Sequence, residues 1–485
     1  MTASRAALTN RTQIIYDMKM RGSLEMKVKG SFCRHRHLLA VGLAAMLAAG
    51  AQAETNVLTH FTLIDGTGRS PVADQALVIT DGRLGWVGPA SKLKAPAGAA
   101  VEDLKGKYVL PGLIDNHVHL GLVNGIAQDL KYQTPENIEK QLHLYAAYGI
   151  TSVQTLGTEK DLIFPLRDAE RAGRPDMARI FTVGQGVVFK GSYGGVPGLD
   201  QSVATPEEAR RMVDAEAAKG ADAIKLWVDD EFGTLSSRMP PAISSAVIDE
   251  AHKDGKKAIA HIFYYDNAAE LTREGINGFA HEVRDWPVDA ALLGRMKAKG
   301  VWQMAATLSR EASFTYTMLP FLDDPFFSRG VTPQVLAELR SPERIKKLAA
   351  APNFPKYAPT LRNAMRNFAA EAKAGIRYGM GTDSGPTARF PGYFAHWELE
   401  LMVKAGVTPL QALTAATGHN AEFLGAKDIG TVQPGKWADL LVLDKNPVAD
   451  IRNTRTIHEV FIAGRKVPTI WQLCTGRAAD ACAAK

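Results

Sequence analysis

Cysteine is scarce in this chain, with three residues among 485. That number excludes both a small protein held together by disulfides and a zinc module built on cysteine ligands. Internal repeats, low-complexity segments and long apolar runs are also missing. The hydrophobic fraction of 46% and the charged fraction of 22% are typical of a globular protein and exclude a fibrous or disordered one.

An excess of one charge is missing from most of the chain, although the whole sequence carries a formal charge of +6. Residues 1–53 hold eight basic and two acidic side chains, and the remaining residues hold 49 of each. A basic surface that would attract phosphate backbones is therefore not expected, and nucleic acid is excluded as a partner.

Residues 1–53 have the pattern of a secretory signal peptide. A basic stretch at 34–37 precedes a 13-residue apolar run at 38–50 and an Ala-Gln-Ala sequence at 51–53, which is typical of a cleavage site. The alternative, a membrane anchor, would need about 20 apolar residues. We therefore expect a periplasmic or secreted mature protein that is not held in a membrane.

Short alternating strands separated by turns are predicted at 54–110 and again at 426–470. Strands from both ends of the chain can join, so we predict a small β-sandwich built from the two segments. The tail at 471–485 contains Cys474 and Cys482, which either form a disulfide or remain free thiols.

Residues 111–425 alternate short apolar runs with longer stretches of helical period, a pattern that indicates repeated strand–helix units. Eight such runs predict an α/β fold, a (β/α)8 TIM barrel with its functional side chains at the C-terminal ends of the strands. The long stretch 309–353, rich in Phe and Pro, is a candidate lid or substrate wall. The eight predicted strands are 113–119, 150–156, 180–184, 223–228, 258–262, 278–283, 301–307 and 376–381.

Ionisable side chains recur where these predicted strands end. His117 and His119 are two residues apart in one strand, so they project to the same side. Taken singly, each such residue has a structural explanation, such as a hydrogen-bonded core histidine or a helix-capping aspartate. If a barrel gathers these side chains at one end without a cation, the cost of burying their charged and polar groups would be poorly compensated. Imidazole and carboxylate ligands suit Zn²⁺ and, less selectively, other divalent first-row metals. The six residues are His117, His119, Lys225, His261, His281 and Asp383.

Three segments of the chain resemble the amidohydrolase superfamily, close to its imidazolonepropionase-like and prolidase-like metal-dependent hydrolases. They are the Gly-Leu-Ile-Asp-Asn-His-Val-His sequence at 112–119, the Gly-Thr-Asp-Ser-Gly sequence at 381–385 and the segment 430–440. The resemblance implies a (β/α)8 barrel with a β-sandwich and a centre of two divalent metal ions. The implied ligands are His117, His119 and Asp383 for the more buried ion, His261 and His281 for the more exposed one, and Lys225, carboxylated by CO₂, as a bridge between them.

This centre predicts hydrolysis of an amide-type C–N bond in a small molecule, such as an N-acyl amino acid, a dipeptide or a cyclic amide. Asp383 is the expected catalytic residue, because a carboxylate beside the metals can take a proton from water and deliver it to the leaving nitrogen. Two alternatives remain: an esterase or lactonase using the same site, and a non-catalytic binding protein that retains the barrel. A homo-oligomer is one option for the assembly.

Substrate contacts are predicted near the fifth and sixth strands. Peptidase-like relatives have a substrate-binding tyrosine two residues after the fifth-strand histidine, whereas this chain has Phe263, followed by Tyr264 and Tyr265. Arg284 is the candidate clamp for a substrate carboxylate, because its planar fork can bind both oxygens. The alternative for Arg284 is an ion pair with the neighbouring Asp285.

Overall fold

The structure is a computed structural model that describes residues 55–473 apart from positions 174 and 231. The predicted signal peptide and both tail cysteines lie outside the described residues. Within residues 55–473, no helix combines the length and the apolar character that crossing a membrane requires.

Nineteen strands are distributed along the described part of the chain. They are β1 Thr55–Leu63, β2 Val72–Thr80, β3 Arg83–Pro89, β4 Ala100–Asp103, β5 Tyr108–Pro111, β6 Leu113–Val118, β7 Val123–Asn124, β8 Ala127–Gln128, β9 Ile150–Thr155, β10 Arg179–Thr182, β11 Val187–Phe189, β12 Ser202–Val203, β13 Ile224–Trp227, β14 Ala258–His261, β15 Gly278–Phe279, β16 Trp302–Gln303, β17 Leu440–Leu443, β18 Ile457–Ile462 and β19 Arg465–Val467.

Helices fill most of the segments between the central strands. Several begin at a side chain that caps the first turn, as at Thr205, whose hydroxyl accepts a hydrogen bond from the backbone N–H of Glu208 at 3.2 Å. The helices are α1 Pro135–Ala147, α2 Ile163–Ala172, α3 Pro206–Ala218, α4 Pro241–Lys253, α5 Tyr265–Glu274, α6 Ala290–Lys299, α7 Leu308–Phe314, α8 Pro325–Ser328, α9 Pro333–Leu339, α10 Pro342–Ala349, α11 Phe354–Ala374, α12 Tyr393–Ala405, α13 Pro409–Thr414 and α14 Asn420–Leu424.

Strands from the two ends of the described chain form one eight-stranded sheet in the order β19-β18-β17-β5-β1-β2-β3, with β4 beside β1. The join is the antiparallel pair of β17 and β5, which sets Leu441 opposite Leu110. Apolar residues of both ends, including Phe61, Leu77 and Phe461, share one buried cluster. The predicted joining of the ends is therefore observed, while a two-layer sandwich stays a prediction.

The central strands pair in parallel, as strand–helix units require. β6, β9 and β10 form a three-stranded sheet, and β13, β14, β15 and β16 are consecutive neighbours in a six-stranded one. These seven strands lie at the first seven predicted positions, although β15 and β16 contain only two residues each. The central region thus has the predicted α/β character.

The eighth predicted strand, at 376–381, is wrong as a regular strand. Its backbone lies beside β16, where the Gly379 N–H donates to the Gln303 carbonyl at 3.0 Å. The Asn420 side chain then takes both backbone groups of Met380, donating to its carbonyl at 2.7 Å and accepting from its N–H at 3.1 Å. The same carbonyl also accepts the Asn116 N–H of β6 at 3.1 Å, so the segment is bonded on both sides without forming a regular strand.

Candidate metal centre

The four predicted histidines form a continuous row at the carboxyl ends of the parallel strands. The ring centroids of His261 and His281 are 4.1 Å apart, those of His281 and His117 are 4.9 Å apart, and those of His117 and His119 are 5.3 Å apart. The most accessible of the four, His119, is only 6% exposed. The structure therefore brings together imidazoles from three separate strand ends.

Asp383 adds a carboxylate to this row. Its Oδ1 lies 3.0 Å from His119 Nε2 and 3.7 Å from His117 Nε2. His117, His281 and Asp383 each offer one ligand atom, and these atoms all lie within 4.8 Å of one another. The backbone of Asp383 has a φ of +55° and its N–H donates to the His117 carbonyl at 2.7 Å. Such a conformation is uncommon outside glycine and occurs preferentially at functional sites.

The Nδ1 atoms of three of the histidines have hydrogen-bond partners that fix the orientation of the rings. His117 Nδ1 donates to the Ala280 carbonyl at 3.1 Å. His119 Nδ1 lies 2.7 Å from Thr158 Oγ1, and His281 Nδ1 lies 2.8 Å from Thr307 Oγ1. With Nδ1 engaged in this way, Nε2 is the nitrogen left for a ligand or a metal ion.

Burial decides the protonation state of these groups. It lowers the pKa of His261 to about 4 and the pKa values of His117 and His281 well below the usual range. The three rings are therefore neutral at pH 7, which is the form that binds metal ions. Burial alone would raise the pKa of Asp383, but the Arg389 guanidinium and the neighbouring histidines hold it well below its usual value.

Lys225 is fully buried in β13 beside this row. Its Nζ has no hydrogen-bond partner among the described residues and lies 5.1 Å from the centre of the Trp227 ring. Burial lowers the pKa of Lys225 to about 7, so a substantial fraction is the neutral amine at neutral pH. An unpartnered amine in the interior is costly and indicates a missing ligand or modification.

Two arginines that the sequence patterns did not single out bind the other oxygen of Asp383. Arg310 Nε in α7 lies 2.7 Å from Asp383 Oδ2, and Arg389 donates to the same oxygen. Both side chains are largely buried. Arg389 is six residues from Asp383, but α7 lies far away in sequence, and nothing in the local pattern marks Arg310.

Arg284, the predicted carboxylate clamp, is 2% exposed and has a protein carboxylate as its partner. Its Nη1 donates to Glu311 Oε1 at 2.6 Å, while its Nη2 lies 3.4 Å from His261 Nε2. The alternative, an ion pair with Asp285, is wrong: Arg284 pairs with Glu311, and Asp285 instead accepts the Tyr265 N–H at 2.8 Å. Arg284 thus adjoins the histidine row and shares the Glu311 carboxylate with Arg310.

The two predicted substrate tyrosines point to other groups. The Tyr264 hydroxyl donates to Asp230 Oδ1 at 2.7 Å, and the half-buried Tyr265 packs against the apolar cluster under α5. Two further groups touch His261: Asp229 Oδ2 lies 3.0 Å from its Nε2, and the Tyr193 ring centre lies 4.9 Å from its own. A substrate role for either predicted tyrosine stays a prediction.

Comparison with known proteins identifies the family. The model of the amidohydrolase family matches residues 108–467, which is most of the chain. The chain belongs to the amidohydrolase family. The resemblance noted from the sequence motifs is thereby confirmed.

Two curated relatives of this amidohydrolase cover most of its length. The ochratoxinase of Aspergillus niger is 24% identical over 473 residues, covering 88% of this chain and 87% of its own. The imidazolonepropionase of Cutibacterium acnes is 27% identical over 378 residues, covering 77% of this chain and 84% of its own.

Two solved structures are similar to the chain over most of its length. A putative prolidase from Bifidobacterium longum is 27% identical, covers 88% of this chain and 97% of its own, and has a TM-score of 0.68. A Xaa-Pro dipeptidase with bound methionine is 21% identical, covers 85% of this chain and 99% of its own, and has a TM-score of 0.67. At that identity the second likeness shows the fold alone. The amidohydrolase relatives together imply a TIM-barrel fold.

Proposed function

We propose that this amidohydrolase hydrolyses an amide-type C–N bond in a small molecule and depends on divalent metal ions to do so. The observation that carries the proposal is the row of four buried imidazoles with the Asp383 carboxylate against His117 and His119 and the Lys225 amine buried beside them. Membership of the amidohydrolase family supports amide hydrolysis as the reaction class. The substrate class is an N-acyl amino acid, a dipeptide or a cyclic amide.

The residues of the centre fit divalent metal ions. Neutral imidazoles and an ionised carboxylate are ligands that divalent first-row metal ions prefer, and the buried Lys225 amine beside them has no hydrogen-bond partner among the described residues. Carboxylation of Lys225 would turn that amine into an anionic ligand. His117, His119 and Asp383 would hold one Zn²⁺ ion, His261 and His281 would hold a second, and carboxylated Lys225 would be a ligand of both.

The chain's own residues then divide the chemistry between them. Bound divalent ions supply a Lewis acid and lower the pKa of a water molecule. Asp383 accepts a proton from that water and delivers it to the leaving nitrogen. Arg310 and Arg389 hold its Oδ2, which leaves Oδ1 directed at His117 and His119.

A matched pair of substrates tests the bond type. The full chain, loaded with Zn²⁺, is assayed with N-acyl amino acids, dipeptides and lactams, each beside the ester or lactone of the same shape. We expect turnover of an amide, because Asp383 can protonate a leaving nitrogen. Cleavage of the esters alone would favour the esterase alternative, and no turnover with less than one metal ion per chain would favour a binding protein.

We also propose that the central strands close into a (β/α)8 barrel over residues 111–425, beside a β-sandwich formed by 54–110 and 426–470. Hydrogen bonds on both sides of the segment 376–384 support closure. Its Gly379 N–H bonds to β16 and the Ser384 carbonyl accepts from the His119 N–H at 2.8 Å, next to β6. A crystal structure checks the closure directly.

Export is a further part of the proposal. Cleavage after Ala53 would release a periplasmic or secreted enzyme, in keeping with the basic stretch and apolar run that precede it. N-terminal sequencing of the protein recovered from an envelope fraction should begin at Glu54. An intact N-terminus on the active protein would contradict export by this route.

A further inference from the structure

A cavity of about 590 Å³ lies between α7, the helices α9 to α11 and the loop that follows Asp383. This volume falls in the range of cavities that hold small molecules. Its aromatic lining residues are Phe314, Tyr316, Phe354 and Tyr357.

The aromatic rings in this cavity are only partly covered by the protein. Phe314, Phe354 and Tyr357 are only half-buried, and Tyr316 is 41% exposed. The Phe314 and Tyr357 rings lie 5.1 Å apart at an interplanar angle of 31°. Large aromatic side chains that remain open to a concave site are typical of ligand pockets rather than of a folded core.

The inner wall of the cavity adjoins the candidate metal centre. Phe314 lies one turn after Arg310, whose guanidinium is 4.8 Å from the Phe314 ring centre. Thr387 and Ala388, which line the cavity, directly precede Arg389. Both arginines reach Asp383, so the two segments that form the inner wall also position the proposed catalytic carboxylate.

A second row of rings connects the cavity to the histidines. Phe263, two residues after His261, lies 4.4 Å from Phe232, and Phe232 lies 5.7 Å from Tyr357. Phe232 has a φ of +63°, an uncommon backbone conformation for a bulky residue. A chain of ring contacts therefore runs from the residues after the fifth strand to Tyr357 in the cavity wall.

Charge and packing limit what the cavity accepts. Its acidic residues, Glu338 and Glu343, are matched by two basic ones, Arg344 and Lys347, so the lining carries no net charge. The outer wall is α10, in which no side chain is buried. An uncharged aromatic group therefore fits the cavity better than an ionic one, and the wall that covers it is held by few contacts.

We propose that this cavity binds an uncharged aromatic group of the substrate and makes the enzyme selective for amides that carry one. The role of the cavity in substrate selection rests on the proposed amide hydrolysis. Binding of an aromatic molecule in the cavity requires neither turnover nor metal. It names Phe314 and Tyr357 as specificity-determining residues.

Binding of 1-naphthylacetamide to the full chain, measured by calorimetry, tests the pocket. We expect Phe314→Ala to raise the dissociation constant about tenfold, because a ring contact is lost. Phe314→Leu, which keeps an apolar side chain, should lose part of that affinity. The matched control is Trp286→Ala, since Trp286 is 66% exposed and is not among the residues that line the cavity.

A second variant keeps the test decisive if Phe314→Ala does not fold. Leu348→Trp, on the half-buried face of α10, should fill the cavity and weaken binding by a similar factor. Equal affinity in wild type, Phe314→Ala and Leu348→Trp, or no binding at all, would overturn the proposal. Binding with the expected changes but no amide turnover would leave the pocket standing and count against the proposed reaction alone.

If amides are turned over, selectivity gives a further readout. The ratio of kcat/KM for a phenylacetyl amide to that for the matching acetyl amide should exceed about tenfold in wild type and fall in Phe314→Ala. An unchanged ratio in that variant would contradict a specificity role for Phe314.

Discussion

At the residue scale, the centre depends on which oxygen and which nitrogen each side chain leaves open. Asp383 gives Oδ2 to two arginines and keeps Oδ1 towards His119 and His117. The histidines direct Nε2 inward because Nδ1 is engaged at His117, His119 and His281. Each donor is therefore oriented before any ligand arrives, which is how effective metal and catalytic sites are built.

Asp383→Asn should lower kcat by about 10²- to 10⁴-fold, because the amide cannot accept and return a proton. We expect metal content, measured by mass spectrometry, to remain mostly intact, since the histidines are unchanged. Asp323→Asn is the matched control, with a carboxylate that is 98% exposed. Near-wild-type turnover in Asp383→Asn would contradict the catalytic role.

Lys225 gives a test of carboxylation. Metal-free protein reloaded with Zn²⁺ should regain activity more slowly in bicarbonate-depleted buffer than in bicarbonate, because CO₂ must add to the neutral amine. A carbamate resonance in ¹³C NMR, obtained with labelled bicarbonate and missing from Lys225→Ala, would identify the site. Equal recovery in both buffers, with no resonance, would show that the lysine stays unmodified.

The sequence predicted these donors because charged or imidazole side chains are unusual in apolar strands, and here they recur at the ends of several strands. It did not predict Arg310, Arg389 or Asp229, since each reaches the centre through tertiary contacts that leave no local pattern. Arg284 shows the same limit. Its position was predicted, but its partner, Glu311, comes from a helix 27 residues further on.

At the scale of elements, Asn420 holds the segment 376–384 against β6. Its Nδ2 donates to the carbonyls of Ile114 and Met380, each at 2.7 Å, and its Oδ1 accepts from the Met380 N–H. Hydrophobic period predicted an apolar segment here but not its irregular hydrogen bonding, in which the Met380 carbonyl accepts from both the Asn420 side chain and the Asn116 N–H. Asp383 follows directly, so this one amide helps to place the catalytic carboxylate.

Asn420→Ala should lower the free energy of unfolding by about 3 kcal/mol, because it leaves buried backbone groups unpaired. Chemical denaturation measures the change. Asn124→Ala, at an exposed position, is the control and should stay within about 0.5 kcal/mol of wild type. A loss below 1 kcal/mol for Asn420→Ala would show that the segment is held by other contacts.

His396 joins three elements at some distance from the metal centre. Its Nε2 donates to the Tyr148 carbonyl at 2.8 Å after α1, and its Nδ1 lies 2.9 Å from Thr454 Oγ1. Burial lowers the pKa of His396 to about 3. The folded state therefore keeps this ring neutral at pH values where the unfolded chain, with an ordinary pKa near 6.5, binds a proton.

Burial of the neutral His396 ring makes the stability of the fold depend on pH. Between pH 6.5 and about 3 the unfolded state binds the extra proton, so this ring destabilises the fold increasingly as pH falls, by up to about 1.4 kcal/mol per pH unit. The stability advantage of wild type over His396→Gln should shrink accordingly in denaturation experiments below pH 6.5. His143→Gln, at an exposed site, is the matched control. Parallel curves for wild type and His396→Gln would contradict the linkage.

At the scale of the whole molecule, the sequence predicted the order of the strands along the chain well, but it gave little information on how the strands and loops pack together. Periodicity located seven parallel strands and the end-to-end β sheet, because each is a local apolar pattern that recurs. It could not locate the cavity between α7 and α10, since that surface is made by packing of the 309–353 stretch against the loop after Asp383. The centre and the cavity lie together only because the fold brings distant loops to one end of the strands.

The metal content of the full chain tests this account most directly. Protein purified after incubation with Zn²⁺ and exhaustive dialysis should retain about two ions per chain by inductively coupled plasma mass spectrometry, as a binuclear hydrolase site requires. The double variant His117→Ala with His281→Ala should retain fewer than wild type. A wild-type chain that holds less than one ion, or as much metal in the double variant as in wild type, would contradict the proposed centre.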